Sequence, residues 1–271
     1  MRIETDGVGL DVTVQGEGPP VLLLHGWPDT HELWDSQAAA LVAAGYQVIA
    51  PDLRGCGASD RPEGVDAYNI LLLAGDVLGV LDHLGLARAH VVGHDWGAAL
   101  AWAIAAFMPD RVDHLACLSV GHPASFATAG FAQREKSWYM LLFQFEGIAE
   151  QWLSMDDFAN MWEWCHHPQL QEIKPRLSQP GHLTASLNWY RANVNPETFV
   201  QPAIEFPPVA APTMGIWGSE DFALNEEQMV GSEKFVSGPW RYERLDGVDH
   251  WITLEVPDRV NELLLDFLPT P

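Results

Sequence analysis

The chain predicts an α/β fold: a mostly parallel central sheet flanked by helices, with an inserted helical cap. Three observations predict it. Short apolar runs of strand length alternate with helical stretches over most of the 271 residues, the pattern of βαβ units. One of these runs ends in a Gly-x-x-x-Gly turn that opens an Ala-rich helix: residues 91–99 read Val-Val-Gly-His-Asp-Trp-Gly-Ala-Ala. Between residues 122 and 205 the buried-strand signal stops, and aromatic residues recur at helical spacings.

Taken in order, residues 8–14 read as an early antiparallel strand. Residues 21–24 form a buried strand ending at His25-Gly26, and 47–50 another ending at Pro51-Asp52. Residues 89–93 lead into the Gly-x-x-x-Gly turn. Strands at 114–120, 213–217 and 240–245 complete the sheet, and helices fill 32–44, 69–85, 98–107 and 257–267. The division is therefore a first core part at 1–121, a helical cap at 122–205 and a second core part at 206–271. Trp138, Phe143, Trp152, Phe158, Trp162, Trp164 and Trp189 populate the cap, punctuated by Pro168, Pro175, Pro180 and Pro196. Most of these aromatics are expected in helix–helix core, and some against an apolar pocket between cap and core.

Composition narrows the function. Lys plus Arg number 14 against 37 Asp plus Glu, a formal charge of −23. Such an excess argues against nucleic acid and against anionic membrane surfaces. Three scattered cysteines, Cys56, Cys117 and Cys165, make neither a Cys-x-x-Cys pair nor a disulfide framework. With no signal-peptide pattern at the start and no apolar run of spanning length, the expectation is a cytoplasmic protein. No spaced ligand set suggests a metal or cofactor. The neighbours His166 and His167 point in different directions on a helix and are expected in surface or packing roles.

The turn at 93–97 carries the chemistry. A strand-to-helix turn this tight lifts one side chain above the sheet, and Gly93 and Gly97 relieve the crowding on either side of Asp95. The position usually holds Ser, which attacks acyl carbons with the help of a base. A carboxylate is already ionised near neutral pH and displaces a leaving group from saturated carbon, giving an ester that water then cleaves. The bland alternative is an Asp that caps the helix. Asp221, in Trp-Gly-Ser-Glu-Asp, and His250, in Gly-Val-Asp-His-Trp, each follow a strand. The chain order nucleophile, acid, histidine puts them on the same sheet edge. Glu220 and Asp249 are rival acids, with Asp221 favoured by position. Ester hydrolysis needs two backbone donors for the developing oxyanion: the Trp96 amide and the Trp27 amide, the latter in His25-Gly26-Trp27-Pro28, where Pro28 can hold a cis bond.

These residues resemble the epoxide hydrolases of the α/β-hydrolase fold over nearly the whole chain. His-Gly-Trp-Pro at 25–28 matches that family's oxyanion loop, and Pro-Asp-Leu-Arg-Gly-Cys-Gly-Ala-Ser at 51–59 its segment after the fourth strand. Gly-His-Asp-Trp-Gly at 93–97 matches its nucleophile motif. The resemblance implies two cap tyrosines that hold the epoxide oxygen: Tyr139, in Trp-Tyr-Met-Leu-Leu-Phe-Gln, and Tyr190, in Leu-Asn-Trp-Tyr-Arg. It implies no cofactor, and a small hydrophobic epoxide and water as partners. A haloalkane dehalogenase would share Asp95 and His250 and take its halide donors from Trp96 and a cap Trp. A non-catalytic binding module on the same fold is the third reading.

Overall fold

The computed structural model describes residues 1–194, 196–199 and 205–271. Residues 195 and 200–204 of the cap expected at 122–205 lie outside the described residues. The sheet has eight strands: β1 (Arg2–Glu4), β2 (Gly9–Gln15), β3 (Pro20–Leu24), β4 (Gln47–Pro51), β5 (Ala89–His94), β6 (Val112–Leu118), β7 (Thr213–Gly218) and β8 (Trp240–Leu245). Their spatial order is β1-β2-β4-β3-β5-β6-β7-β8. β1 and β2 pair antiparallel, as do β2 and β4, and every later pairing is parallel.

This order has one reversal. From β3 the chain crosses to β4 on one side, then returns to lay β5 on the other. A crevice opens at such a point beyond the carboxyl ends of the strands, and the loops that flank it here are those holding Trp27 and Asp95.

The strands next to the crevice are buried on both faces, so their apolar runs are unbroken. The two-residue period still sorts them. Leu22, Leu24 and Val91 pack on one side with Leu73 and Val77 of α2 (Ile70–His83) and Leu100 and Ile104 of α3 (Trp96–Phe107). Val21, Leu23 and Val92 pack on the other with Leu41 of α1 (Asp35–Ala43) and with Val260 and Leu264 near the C-terminus. Ala98 and Ala101 of α3 are wholly buried; a helix with so slim a face sits close against the sheet.

Between β6 and β7 the described chain is helical: α4 (Pro123–Thr128), α5 (Gly130–Lys136), α6 (Trp138–Leu142), α7 (Ile148–Cys165), α8 (Leu170–Leu177) and α9 (His182–Asn193). α7 is broken by non-helical backbone at Met155, Asp156, Asp157 and Phe158. Phe143, Phe158 and Trp189 are buried as core aromatics should be, but Trp138 and Trp162 are 44% and 50% exposed. Helical spacing places a residue on a face without saying which face meets a neighbour.

Several boundaries differ from the sequence reading, and one strand was not read. β1 has only three residues and is held by its backbone register with β2, so no side-chain pattern marks it. The strand expected at 114–120 is shifted to begin at Val112 and end at Leu118, and Ser119 follows at φ 67°. α3 starts at Trp96, directly after the nucleophile position. No described helix is long and apolar enough to cross a membrane.

Candidate active site

Asp95 sits at the end of β5 with φ 51° and ψ −123°, a left-handed conformation that costs a non-glycine residue about 1–3 kcal/mol. Its neighbours explain why the turn can close. A Cβ on Gly93 would lie 2.3 Å from the Gly97 carbonyl oxygen, and one on Gly97 would lie 2.0 Å from that of Leu24. The helix-capping alternative fails here. The amides of Ala98 and Ala99 donate to the main-chain oxygen of Asp95, and its side chain makes no capping bond. The carboxylate is free to face the crevice.

Oδ1 of Asp95 accepts a hydrogen bond from the Trp27 amide, one of the two expected donors, at 2.8 Å. The Trp96 amide opens α3 at the same turn. The Trp27–Pro28 peptide is cis. Gly26, missed as a functional position in the sequence, is required by this approach: a Cβ there would lie 2.4 Å from Asp95 Oδ1. Its only sequence signal was membership of the His-Gly-Trp-Pro run.

Oδ2 of Asp95 lies 3.6 Å from Nε2 of His250. Nδ1 of that ring is 2.9 Å from Oδ2 of Asp221. The other oxygen of Asp221 accepts from the amides of Ala223 and Leu224, both at 2.9 Å, so the carboxylate cannot rotate away. Glu220 is exposed. Asp249 accepts from the amides of Phe222 and His250, pinning the acid loop to the histidine loop without touching the ring. Of the three rival acids, Asp221 is the one that contacts the His250 ring.

Sequence reasoning missed two further supports. The main-chain oxygen of His250 accepts from Ser119 Oγ and from His94 Nε2, both at 2.9 Å. His94 is held neutral, its pKa pushed down to about 4 by burial and by the nearby His250. For His250 itself, burial opposes the charge. Attraction to Asp221 and the hydrogen bond with it, joined by Asp95, overcome that penalty and lift the imidazole to about 10. Both acids thus favour the imidazolium form of His250.

Tyr139 on α6 and Tyr190 on α9 are both buried, their ring centroids 5.9 Å apart. Tyr190 stands edge-on to Trp96 at 5.1 Å. Burial pushes both phenols well above 10, and the charge of Asp95 adds to the shift in each. The shift favours the protonated form of both phenols. Around them Trp27, Phe143, Trp164 and Phe222 form an aromatic wall. Trp164 lies 4.7 Å from Tyr139 and 5.4 Å from Phe222, whose ring is 5.4 Å from His250. The indole N–H of Trp27 is engaged by Ser186 Oγ at 3.1 Å, and that of Trp189 by the Arg54 carbonyl at 2.9 Å. Trp27, Asp95, Trp96, Asp221 and His250 thus gather at one edge of the sheet, and the cap brings Tyr139 and Tyr190 against them.

Among the described residues, three potential metal-binding groups converge only at Asp11, His31 and Asp52. They lie outside this site, and the oxygens of Asp52 already accept from His31 and from the Ala58 amide. His166 is exposed and His167 fully buried, its Nε2 3.1 Å from Oδ1 of Asp29.

Comparison with known proteins shows the family. Residues 19–257 match the family model described as alpha/beta hydrolase fold. The chain is similar to AB hydrolase superfamily protein YfhM of Bacillus subtilis, 36% identical, with 98% of this chain and 96% of that one covered. It is similar to Epoxide hydrolase A of Mycobacterium tuberculosis, 34% identical at the same coverage. Among solved structures, Epoxide Hydrolase A from Mycobacterium thermoresistibile superposes with a TM-score of 0.84 at 32% identity. That match covers 99% of this chain and 97% of that one.

Proposed function

This chain belongs to the alpha/beta hydrolase fold family, and from that premise we propose that it is an epoxide hydrolase. It opens an epoxide to a vicinal diol through an ester on Asp95. The observation that carries this reading is the pairing of a carboxylate nucleophile with two buried, protonated tyrosines that both feel its charge. A breaking epoxide leaves an alkoxide, which needs a proton; a halide leaving group needs none. Of the cap tryptophans that a dehalogenase could draw on, Trp189 has its indole N–H taken up by the Arg54 carbonyl.

In the first step Oδ2 of Asp95 attacks a ring carbon and the carbon–oxygen bond breaks. The departing oxygen takes its proton from the Tyr139–Tyr190 pair. Esterification removes the negative charge of Asp95, so His250 loses one of the two carboxylates that held its proton. It returns a proton to the tyrosine pair and becomes a neutral base. In the second step His250 takes a proton from water, and the hydroxide adds to the ester carbonyl. Negative charge develops on Oδ1, where the Trp27 amide already points, joined by the Trp96 amide. Collapse releases the diol, the acid proton passing to the departing oxygen. Asp95 is again a carboxylate and His250 an imidazolium, so the cycle closes without net proton exchange.

The aromatic wall supports a small hydrophobic epoxide as substrate, with water the only co-reactant and no cofactor. The charge of −23 supports a protein without nucleic-acid or membrane partners. Three buried, unpaired cysteines support a cytoplasmic location. The test supplies styrene oxide and 1-bromobutane to wild type and to Asp95→Ala. Diol from wild type alone, without bromide, is expected. Bromide without diol overturns the reading in favour of dehalogenation, and silence on both substrates favours a binding module.

A further inference from the structure

We infer that the buried pair His167–Asp29 is a positioning device that lets the cap hold the oxyanion loop against Asp95. The inference rests on the hydrolytic reading above and goes beyond it, because neither residue touches the reacting atoms.

His167 lies between α7 and α8 and is wholly buried. Its Nδ1 accepts from the Gln169 amide at 3.1 Å, so the ring proton sits on Nε2 and is donated to Asp29. Among the described residues this is the only hydrogen bond that reaches the Asp29 carboxylate; Oδ2 is buried without a partner. An isolated buried carboxylate is costly, so the position of Asp29 depends on this one cap side chain. Asp29 in turn closes the loop, its amide donating to the Gly26 carbonyl at 2.9 Å. The turn so formed encloses Trp27, whose amide serves Asp95.

The same cap segment reaches the site twice more. Arg176 donates to the Pro28 carbonyl and to Thr30 Oγ1. The His167 ring packs 4.2 Å from Trp251, which donates to the Cys165 carbonyl at 2.9 Å and stands perpendicular to the His250 ring at 4.8 Å. One stretch of the cap, 165–176, therefore grips both the oxyanion loop and the residue after the catalytic histidine.

The Trp27 amide matters most when charge develops on Oδ1, in hydrolysis of the ester. Loosening it slows that step and spares ester formation. The test compares wild type, His167→Phe, which keeps an aromatic ring against Trp251, and His167→Gln, which keeps a donor. His167→Phe/Asp29→Asn removes the unpartnered carboxylate in case the single variant folds poorly. Rapid-quench kinetics with styrene oxide separate ester formation from hydrolysis. Hydrogen exchange of the Trp27 amide, followed by NMR, reads the loop without turnover.

Hydrolysis slower by about tenfold or more is expected in both Phe variants, so that the ester accumulates while its formation changes by less than about twofold. Trp27 exchange is faster in them, and the Gln variant restores both. Unchanged hydrolysis and exchange overturn the proposal, as do equal losses in both steps, or a Gln variant as impaired as Phe. If wild type forms no diol, the epoxide reading falls instead, and Trp27 exchange alone decides the role of His167.

Discussion

Replacing Asp95 by Asn imitates, in one respect, the ester intermediate: the carboxylate charge disappears while the side chain keeps its size. Oδ2 of Asp95 lies 3.6 Å from His250 Nε2. At an effective dielectric constant of about 20, unit charges at that distance attract by about 5 kcal/mol, equivalent to about 3 pH units of proton affinity. The sign is fixed by the charge removed: losing an anion destabilises the imidazolium, so the pKa falls. His250, lifted to about 10 with both carboxylates present, is expected to titrate near 7 in Asp95→Asn. The assay is an NMR titration of the ¹⁵N-labelled imidazole in both proteins. In wild type the ring stays protonated through pH 8; in the variant it deprotonates near neutrality. Equal midpoints would refute the idea that esterification turns His250 from an acid-form spectator into a base. The same switch makes kcat, where hydrolysis limits it, rise with pH to a plateau above about 7.

Other consequences are open to direct measurement. Gly26→Ala places a methyl group 2.4 Å from Asp95 Oδ1 and should lower turnover by ~100-fold or more, with an unchanged circular-dichroism spectrum. Tyr139→Phe and Tyr190→Phe should each slow ester formation from styrene oxide by ~10–100-fold and leave hydrolysis of preformed ester nearly unaffected, a split visible in single-turnover kinetics. Arg54 and Asp76 form a buried bidentate pair at 2.7 and 2.8 Å. Arg54→Met leaves the carboxylate with no cation and only the Thr5 hydroxyl as donor and should cost ~3–5 kcal/mol in urea unfolding; a loss below ~1 kcal/mol would mean that water reaches Asp76.

What the sequence disclosed was local. The elbow is readable because its glycines, nucleophile and helix start fall within a few consecutive residues. Asp221 and His250 are readable because each directly follows a strand, and strand ends share an edge. The tyrosines came from resemblance, since nothing in their spacing says which face of α6 or α9 meets Asp95. The supports were not readable. His167 and Asp29 are separated by 138 positions, and Ser119 and His250 by 131. Partnerships of that kind exist only once the cap has folded over the sheet. A lone buried His next to an exposed one gives no warning that it carries a hydrogen bond on which another loop depends. β1 escaped for a different reason: three residues are too few to display a period.

Trp27 faces two ways: its amide serves the nucleophile, and its indole donates to Ser186 on α9. The fold thus has no clean seam along which caps can be exchanged between relatives. A chimera that imports a foreign cap to gain a new substrate range also imports a new neighbour for the Trp27 ring, and with it a disturbed catalytic loop. Such grafts should therefore be chosen for a hydroxyl at the Ser186 position before their pockets are compared.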